Sequence, residues 1–200
     1  MRVAIHQPQY LPWMGLLEKW RAVDLLIILD TVQYERGGWQ NRCRIRTPHG
    51  DRWLTVPVRR HSGPALDEIL IADDAWRRIH RKTLAWAYPR LPVNEWDLFA
   101  QPWLRLAALT VASMTLLGRT YAKITTPMLL ASDLPIPETE NATGRLVSLC
   151  REVGARRYLS GVGGRAYVDE DQFRAAGIAV DYQDGHWPPY TALDAFFGGS

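Results

Sequence analysis

Cysteine is scarce in this chain. Its 200 residues hold two, Cys43 and Cys150, with no CxxC pair and no Cys/His cluster at zinc-site spacing. That argues against a disulfide framework and a thiolate zinc site, and for a reducing compartment. No Lys/Arg block occurs and the formal net charge is only +3, so the footprint of a nucleic-acid binder is missing. Long apolar runs are missing as well. The longest, Leu104 to Leu117, is interrupted by Arg105, Thr110, Ser113 and Thr115 and is too short to span a bilayer. The start, MRVAIHQP, lacks the apolar core of a signal peptide. The expectation is a cytoplasmic protein with no membrane span. Internal repeats, low-complexity segments, a Walker A loop, a GxGxxG fingerprint and an HxGH signature are all absent.

What is present is core-forming. The hydrophobic share is 47% against 22% charged, enough for a globular fold without disulfides. Arg far outnumbers Lys, which suits fixed contacts to carboxylates or phosphates but equally suits a GC-rich genome. The length fits a single domain, 1–200, with a small helical lobe over 74–118.

The pattern along the chain reads as three-layer α/β, with a mostly parallel sheet, helices on both faces and an inserted β-hairpin. RVAIH (2–6) reads as a buried strand, 13–22 as a helix with Trp13, Leu16, Leu17 and Trp20 on one face, and DLLIILD (24–30) as a second buried strand. That makes a βαβ unit. WQNRCRIRT and RWLTVPV alternate around the PHGD turn (48–51) and read as the hairpin. Further strands are expected at 68–72 and 120–124. Helices are expected from Asp73 or Asp74 to about Tyr88, over 97–117 closing at Gly118, over 143–153, and over 169–178. PIPETEN (135–141) reads as a linker, RRYLSG (156–161) as the penultimate strand, and IAVDYQ (178–183) as the last.

Ligands of open α/β sheets bind beyond the carboxyl ends of the strands. Three polar signals fall at that edge: His6-Gln7 ends the first strand, Asp30 the second, and Ser160-Gly161 the penultimate. AIHQPQYLPWMG (4–15) therefore reads as the floor of a binding site, with Tyr10 and Trp13 interleaved and Pro8 and Pro12 stiffening the loop. His6 is a general base or hydrogen-bond donor, or else a strand-end histidine satisfied by a neighbouring carbonyl. Asp30, followed by Gln33 and Tyr34, orients a histidine, accepts from an amine or holds a metal; alternatively it caps a turn. If it faces His6, the two form a relay.

Trp39-Gln40-Asn41-Arg42 offers an aromatic platform, amides and a guanidinium, a toolkit for sugars or phosphates, or else an amphipathic hairpin with a packed Trp. Trp76 and His80 share a helix face; Trp76 reads as core, and His80 as a partner of His6 or a packed side chain. SGVGGRAY (160–167), with Gly161, Gly164, Arg165 and Tyr167, is an anion-holding turn or a sharp loop with nothing bound. Cys150 is a thioester nucleophile or a buried thiol; Cys43 is a weaker candidate. His49 and His61 read as solvated. Of the nine tryptophans most read as core, while Trp187 in GHWPPY suggests a flap.

The segments AIHQPQYLPWMG, LDTVQYERGGWQNRCRI, GDRWLTVPV, YLSGVGGRAYV and the Tyr190–Phe197 tail resemble, in order and spacing, the WbqC-like proteins. The chain departs from that pattern at Thr31, where the family often has a second acid, and at Cys43, where it usually has Asn. The resemblance implies a role in bacterial polysaccharide or natural-product biosynthesis: transfer of an aminoacyl group, such as glycyl, to an amino sugar or similar amine. In that scheme His6, helped by Asp30, takes the amine proton. Asn41, Arg42 and the Ser160–Gly164 backbone hold the donor's anionic part or the oxyanion. No metal or cofactor is required, and an acyl or peptidyl carrier protein is a partner. The alternative is a non-catalytic module that binds a nucleotide or carrier protein.

Overall fold

Apolar strands and amphipathic helices alternate through much of the chain, and a computed structural model describes residues 1–59, 65–137 and 141–198. His61 and the middle of the 135–141 linker lie outside the described residues. Contacts divide the chain into two compact units, one of 1–7, 18–30 and 124–186, the other of 8–17, 31–123 and 187–200.

The first unit is a five-stranded parallel sheet. Its strands are β1 (Arg2–His6), β2 (Leu25–Ile28), β5 (Met128–Leu130), β6 (Arg157–Ser160) and β7 (Ala179–Tyr182), in the order β5-β2-β1-β6-β7. The first strand lies in the middle. The chain winds outward through β2 to β5, then returns to lay β6 and β7 on the other side, the doubly wound order. Right-handed crossovers put α1 (Met14–Arg21) on one face and α5 (Ala142–Glu152) and α6 (Glu170–Ala175) on the other. Alternation sorts the side chains. Val3, Ile5, Leu25, Ile27 and Tyr158 pack against Leu146, Leu149 and Cys150 of α5 and Phe173 of α6. The Tyr158 and Phe173 rings stack at 5.0 Å. Ala4, Leu26, Ile28 and Leu159 are buried on the opposite face. Helix starts follow sequence signals: the Asn141 side chain accepts from Gly144 N–H, and Asp169 from Asp171 N–H.

The second unit holds the hairpin β3 (Arg42–Thr47) and β4 (Gly50–Thr55), paired antiparallel from Arg42↔Thr55 to Thr47↔Gly50. Gly50, at φ 104°, closes a turn that a side chain would strain. Helix α2 (Ala75–Ala87) buries Trp76, His80 and Leu84 at four-residue spacing. The short helix α7 (Leu193–Phe197) is in this unit too.

Three expected elements differ. The helix expected over 97–117 is broken into α3 (Asp97–Ala100) and α4 (Leu106–Thr115). Pro102 drives Gln101 to φ −103°, ψ 153°, outside the helical region. Gly118 does not close the second helix but is buried in a π-helical turn, Leu116–Tyr121, so the strand expected at 120–124 gives way to β5 farther on. Residues 68–72 make only isolated bridges, Leu70 with Arg105 and Ile71 with Val58, behind a short 3-10 turn at Leu66–Glu68.

Candidate functional site

The carboxyl edge of the first unit's sheet has a built-in parting. β1 pairs with β2 as far as His6↔Ile28, but with β6 only to Ala4↔Leu159. Beyond that level β1 and β6 diverge, and chain connections leave them in opposite directions. This is the switch point at which doubly wound sheets take their ligands.

His6 stands on its β1 side. Its Nδ1 is 2.8 Å from the Gln7 carbonyl oxygen. A carbonyl only accepts, so Nδ1 carries the proton and Nε2 keeps its lone pair. Burial, and then the charge of Lys19, push the imidazole from 6.5 down to about 3, so the ring is neutral at physiological pH.

Lys19 was not among the residues singled out from sequence. It is 3% exposed, and its ammonium donates 3.1 Å to the Ile5 carbonyl. Burial lowers its pKa from 10.5 to about 7. Across the parting, a Cβ placed on Gly161 would stand 3.9 Å from that nitrogen. A helical lysine ordinarily reads as a solvated face, which is why sequence alone passes over it.

Asp30 is also buried, but it serves the sheet rather than His6. One carboxylate oxygen accepts the Ser132 N–H at 3.0 Å and the other the Ser132 hydroxyl at 2.7 Å. The His6–Asp30 relay is therefore replaced by a His6–backbone pair. Ser160 is fully buried, and a side chain on Gly164 would overlap its Oγ. In the turn beyond, Gly164 N–H donates to Gly161 O, and Tyr167 and Val168 N–H to Gly164 O. Arg165 lies 4.1 Å over the Tyr182 ring and Tyr167 is 61% exposed. Cys150 lies in the core with its thiol pushed up to about 12 by burial, and such a thiol is protonated and unreactive at neutral pH.

The remaining candidates belong to the second unit. The 8–12 loop is packed rather than open: Tyr10 and Leu11 are 1% exposed, and Leu11 N–H donates to Ser113 Oγ, whose hydroxyl donates to Thr110 O at 2.9 Å and lies 3.3 Å from Gln9 O. The Tyr10 hydroxyl is 2.9 Å from His80 Nδ1. Burial lowers the ring to about 4 against a hydrogen bond to the Thr55 backbone that raises it, so His80 is a neutral, packed side chain. Trp13 lies with its ring edge-on to Trp187 at 5.9 Å and covers Gly15, where a Cβ would come within 2.6 Å of the indole. That close approach explains the glycine.

The hairpin's alternation turns Cys43, Ile45 and Leu54 inward, and Arg42, Arg44, Arg46 and Trp53 onto the opposite face. The Asn41 amide donates to the Val56 carbonyl at 2.8 Å, so it ties the hairpin instead of facing a ligand. Arg42 stacks 4.2 Å over Trp53, itself 5.0 Å from Trp39. Arg44 and Arg46 cover the Tyr190 ring, whose hydroxyl donates to Asp51 at 2.9 Å. Trp53 and Tyr190 are the additions that the sequence reading lacked; the period-two alternation of RWLTV marks the first. Gln33 is exposed and Tyr34 half-buried, its phenol raised by burial. His49 is exposed and stacks on Trp86 at 5.6 Å.

Among the described residues no group of three His, Cys, Asp or Glu side chains is placed to hold a metal, and no helix is long and apolar enough to cross a membrane.

These features define a doubly wound α/β protein with a His–Lys pair at its switch point and an added aromatic–arginine hairpin. The chain belongs to the WbqC-like protein family, whose profile matches residues 7–199. It is 32% identical over 206 residues to the uncharacterized protein Rv1507c of Mycobacterium tuberculosis (strain ATCC 25618 / H37Rv), covering 99% of this chain and 87% of that protein. No solved structure matches it.

Proposed function

We propose that the chain transfers an acyl group, aminoacyl such as glycyl, to the amine of a sugar or small metabolite in bacterial polysaccharide or natural-product biosynthesis. The donor is an activated ester or thioester, carried by a carrier protein. The observation that carries this reading is the Gln7 carbonyl on His6 Nδ1 at the end of β1, which leaves the proton on Nδ1 and the lone pair on Nε2 of a neutral imidazole. In the reaction the amine nitrogen attacks the acyl carbon. A C–N bond forms, and the bond from that carbon to the donor's sulfur or oxygen breaks. His6 Nε2 accepts the proton that the nitrogen sheds, and the departing thiolate or alkoxide receives it. The nitrogen of the tetrahedral adduct is more acidic than a free ammonium, which lowers the basicity that His6 must supply. Within the second unit, Arg42 over Trp53, with Trp39 tilted beside it, is a surface chemically suited to a sugar.

A second reading, a non-catalytic module that binds a nucleotide or a loaded carrier, draws on the strand order, which is that of nucleotide-binding sheets. Incubation with aminoacyl-loaded carrier protein and candidate amines, followed by intact mass measurement, separates the two. Transfer should give the acylated amine and the unloaded carrier, and His6→Ala should slow it roughly 100-fold or more. Tight binding of loaded carrier without turnover would leave only the module.

A further inference from the structure

Lys19 is the only buried lysine or arginine among the described residues. An ammonium has three N–H donors. One is spent on Ile5 O, and no carboxylate of the described residues lies within ion-pair distance. Burying a cation without a counter-charge is costly, and sequences usually avoid it. The position of this one is specific. Successive carbonyls of a strand point to opposite neighbours. His6 O accepts from Leu29 N–H on the β2 side, so Ile5 O points toward β6. The ammonium that caps it therefore sits where β1 and β6 part, and Gly161 across the gap leaves the approach to that nitrogen without a side chain. His6 is close enough for the Lys19 charge to lower its pKa, and its neutral ring supplies no counter-charge.

We propose that Lys19 is the anchor of an oxyanion site at the parting of β1 and β6, where its ammonium binds the phosphate or carboxylate of a small-molecule ligand. This rests on reading the switch point as a ligand crevice, and not on acyl transfer. The competing role is a neutral amine that only plugs Ile5 O.

The test follows the Lys19 side-chain 13C signal of lysine-labelled full chain against pH, alone and with inorganic phosphate, pyrophosphate, acetate or glycine. An anion that binds the protonated amine must raise its titration midpoint. The expected result is an upward shift of one unit or more, equal to a tenfold or greater preference for the charged form, with one class of anion. A shift with the phosphates alone assigns a phosphoryl ligand; one with the carboxylates alone assigns a carboxyl ligand. By calorimetry the effective anion should bind Lys19→Met at least tenfold more weakly. A midpoint unmoved by all four probes overturns the proposal, as does a folded Lys19→Met chain that binds like the wild type. If that variant does not fold, the wild-type titration decides. A chain that passes this test yet transfers no acyl group keeps the oxyanion site and loses the proposed reaction.

Discussion

The Lys19 ammonium donates to the Ile5 carbonyl oxygen across 3.1 Å, at the level where β1 leaves β6. The burial of this amine makes stability depend on pH. Unfolded, the amine titrates at its ordinary 10.5; folded, at about 7. Between those values the unfolded chain binds a proton that the folded chain lacks. Stability therefore rises with pH through this window and is lost as pH falls toward 7, with a slope of at most about 1.4 kcal/mol per unit. His6 has the same sign in a lower window, from 6.5 down to about 3. Urea midpoints of the wild type minus those of Lys19→Met, measured from pH 7 to 9, should climb. A flat difference would mean that the amine keeps its ordinary basicity in the fold.

Asp30 gives a contrasting case. Both its oxygens are engaged by Ser132, which ties the end of β2 to the turn after β5. Asp30→Asn keeps the shape but gives up one charge-assisted bond, at a cost of about 1–3 kcal/mol. The His6 tautomer, read from its ring 15N shifts, should not change, because the Gln7 carbonyl sets it. A switch of tautomer in Asp30→Asn would restore the carboxylate as the orienting group.

The parallel sheet was legible because its strands are continuous apolar runs and its helices start at Asn141 and Asp169, signals that lie within a few residues of the structure they cause. The breaks were not read, although Pro102 stood in the middle of the helix expected over 97–117. Long apolar periodicity outweighed one local steric rule. That His6 and Ser160 end strands was legible from the apolar runs before them. What they touch was not. Lys19 meets a carbonyl 14 residues earlier, and Tyr190 meets Asp51 across 139 residues. Such pairings depend on how elements dock, which a periodic pattern does not encode. The same blindness assigned Asp30 to His6 and left Ser132 unnoticed.

Gly164 is a glycine because of its neighbour, not its backbone. A methyl there would overlap the Ser160 hydroxyl and stand 3.1 Å from that residue's Cβ. Gly164→Ala is expected to destabilise by about 1–3 kcal/mol as the turn shifts. Adding Ser160→Gly removes the obstruction and should recover part of the loss. Denaturation of the two single variants and the double variant gives the coupling. Purely additive losses would show that the clash is relieved elsewhere.

Cys150 tests the chemistry directly, since acyl transfer through a cysteine thioester needs a thiolate. The side chain is 0% exposed among Leu146, Leu149 and Phe173, and burial holds its thiol at about 12. Cys43 is 1% exposed and its thiol is raised by the same cause. In the native state neither should react with a thiol reagent within minutes, and both should react once urea unfolds the chain. Cys150→Ala should cost about 1–2 kcal/mol for the lost contacts. Cys150→Ser should cost more, because it places a hydroxyl in an apolar cluster. Neither variant should slow the proposed acyl transfer beyond its loss of folded protein. One rapid native label at Cys150, accompanied by loss of transfer, would overturn the proposal and make this cysteine, not His6, its centre.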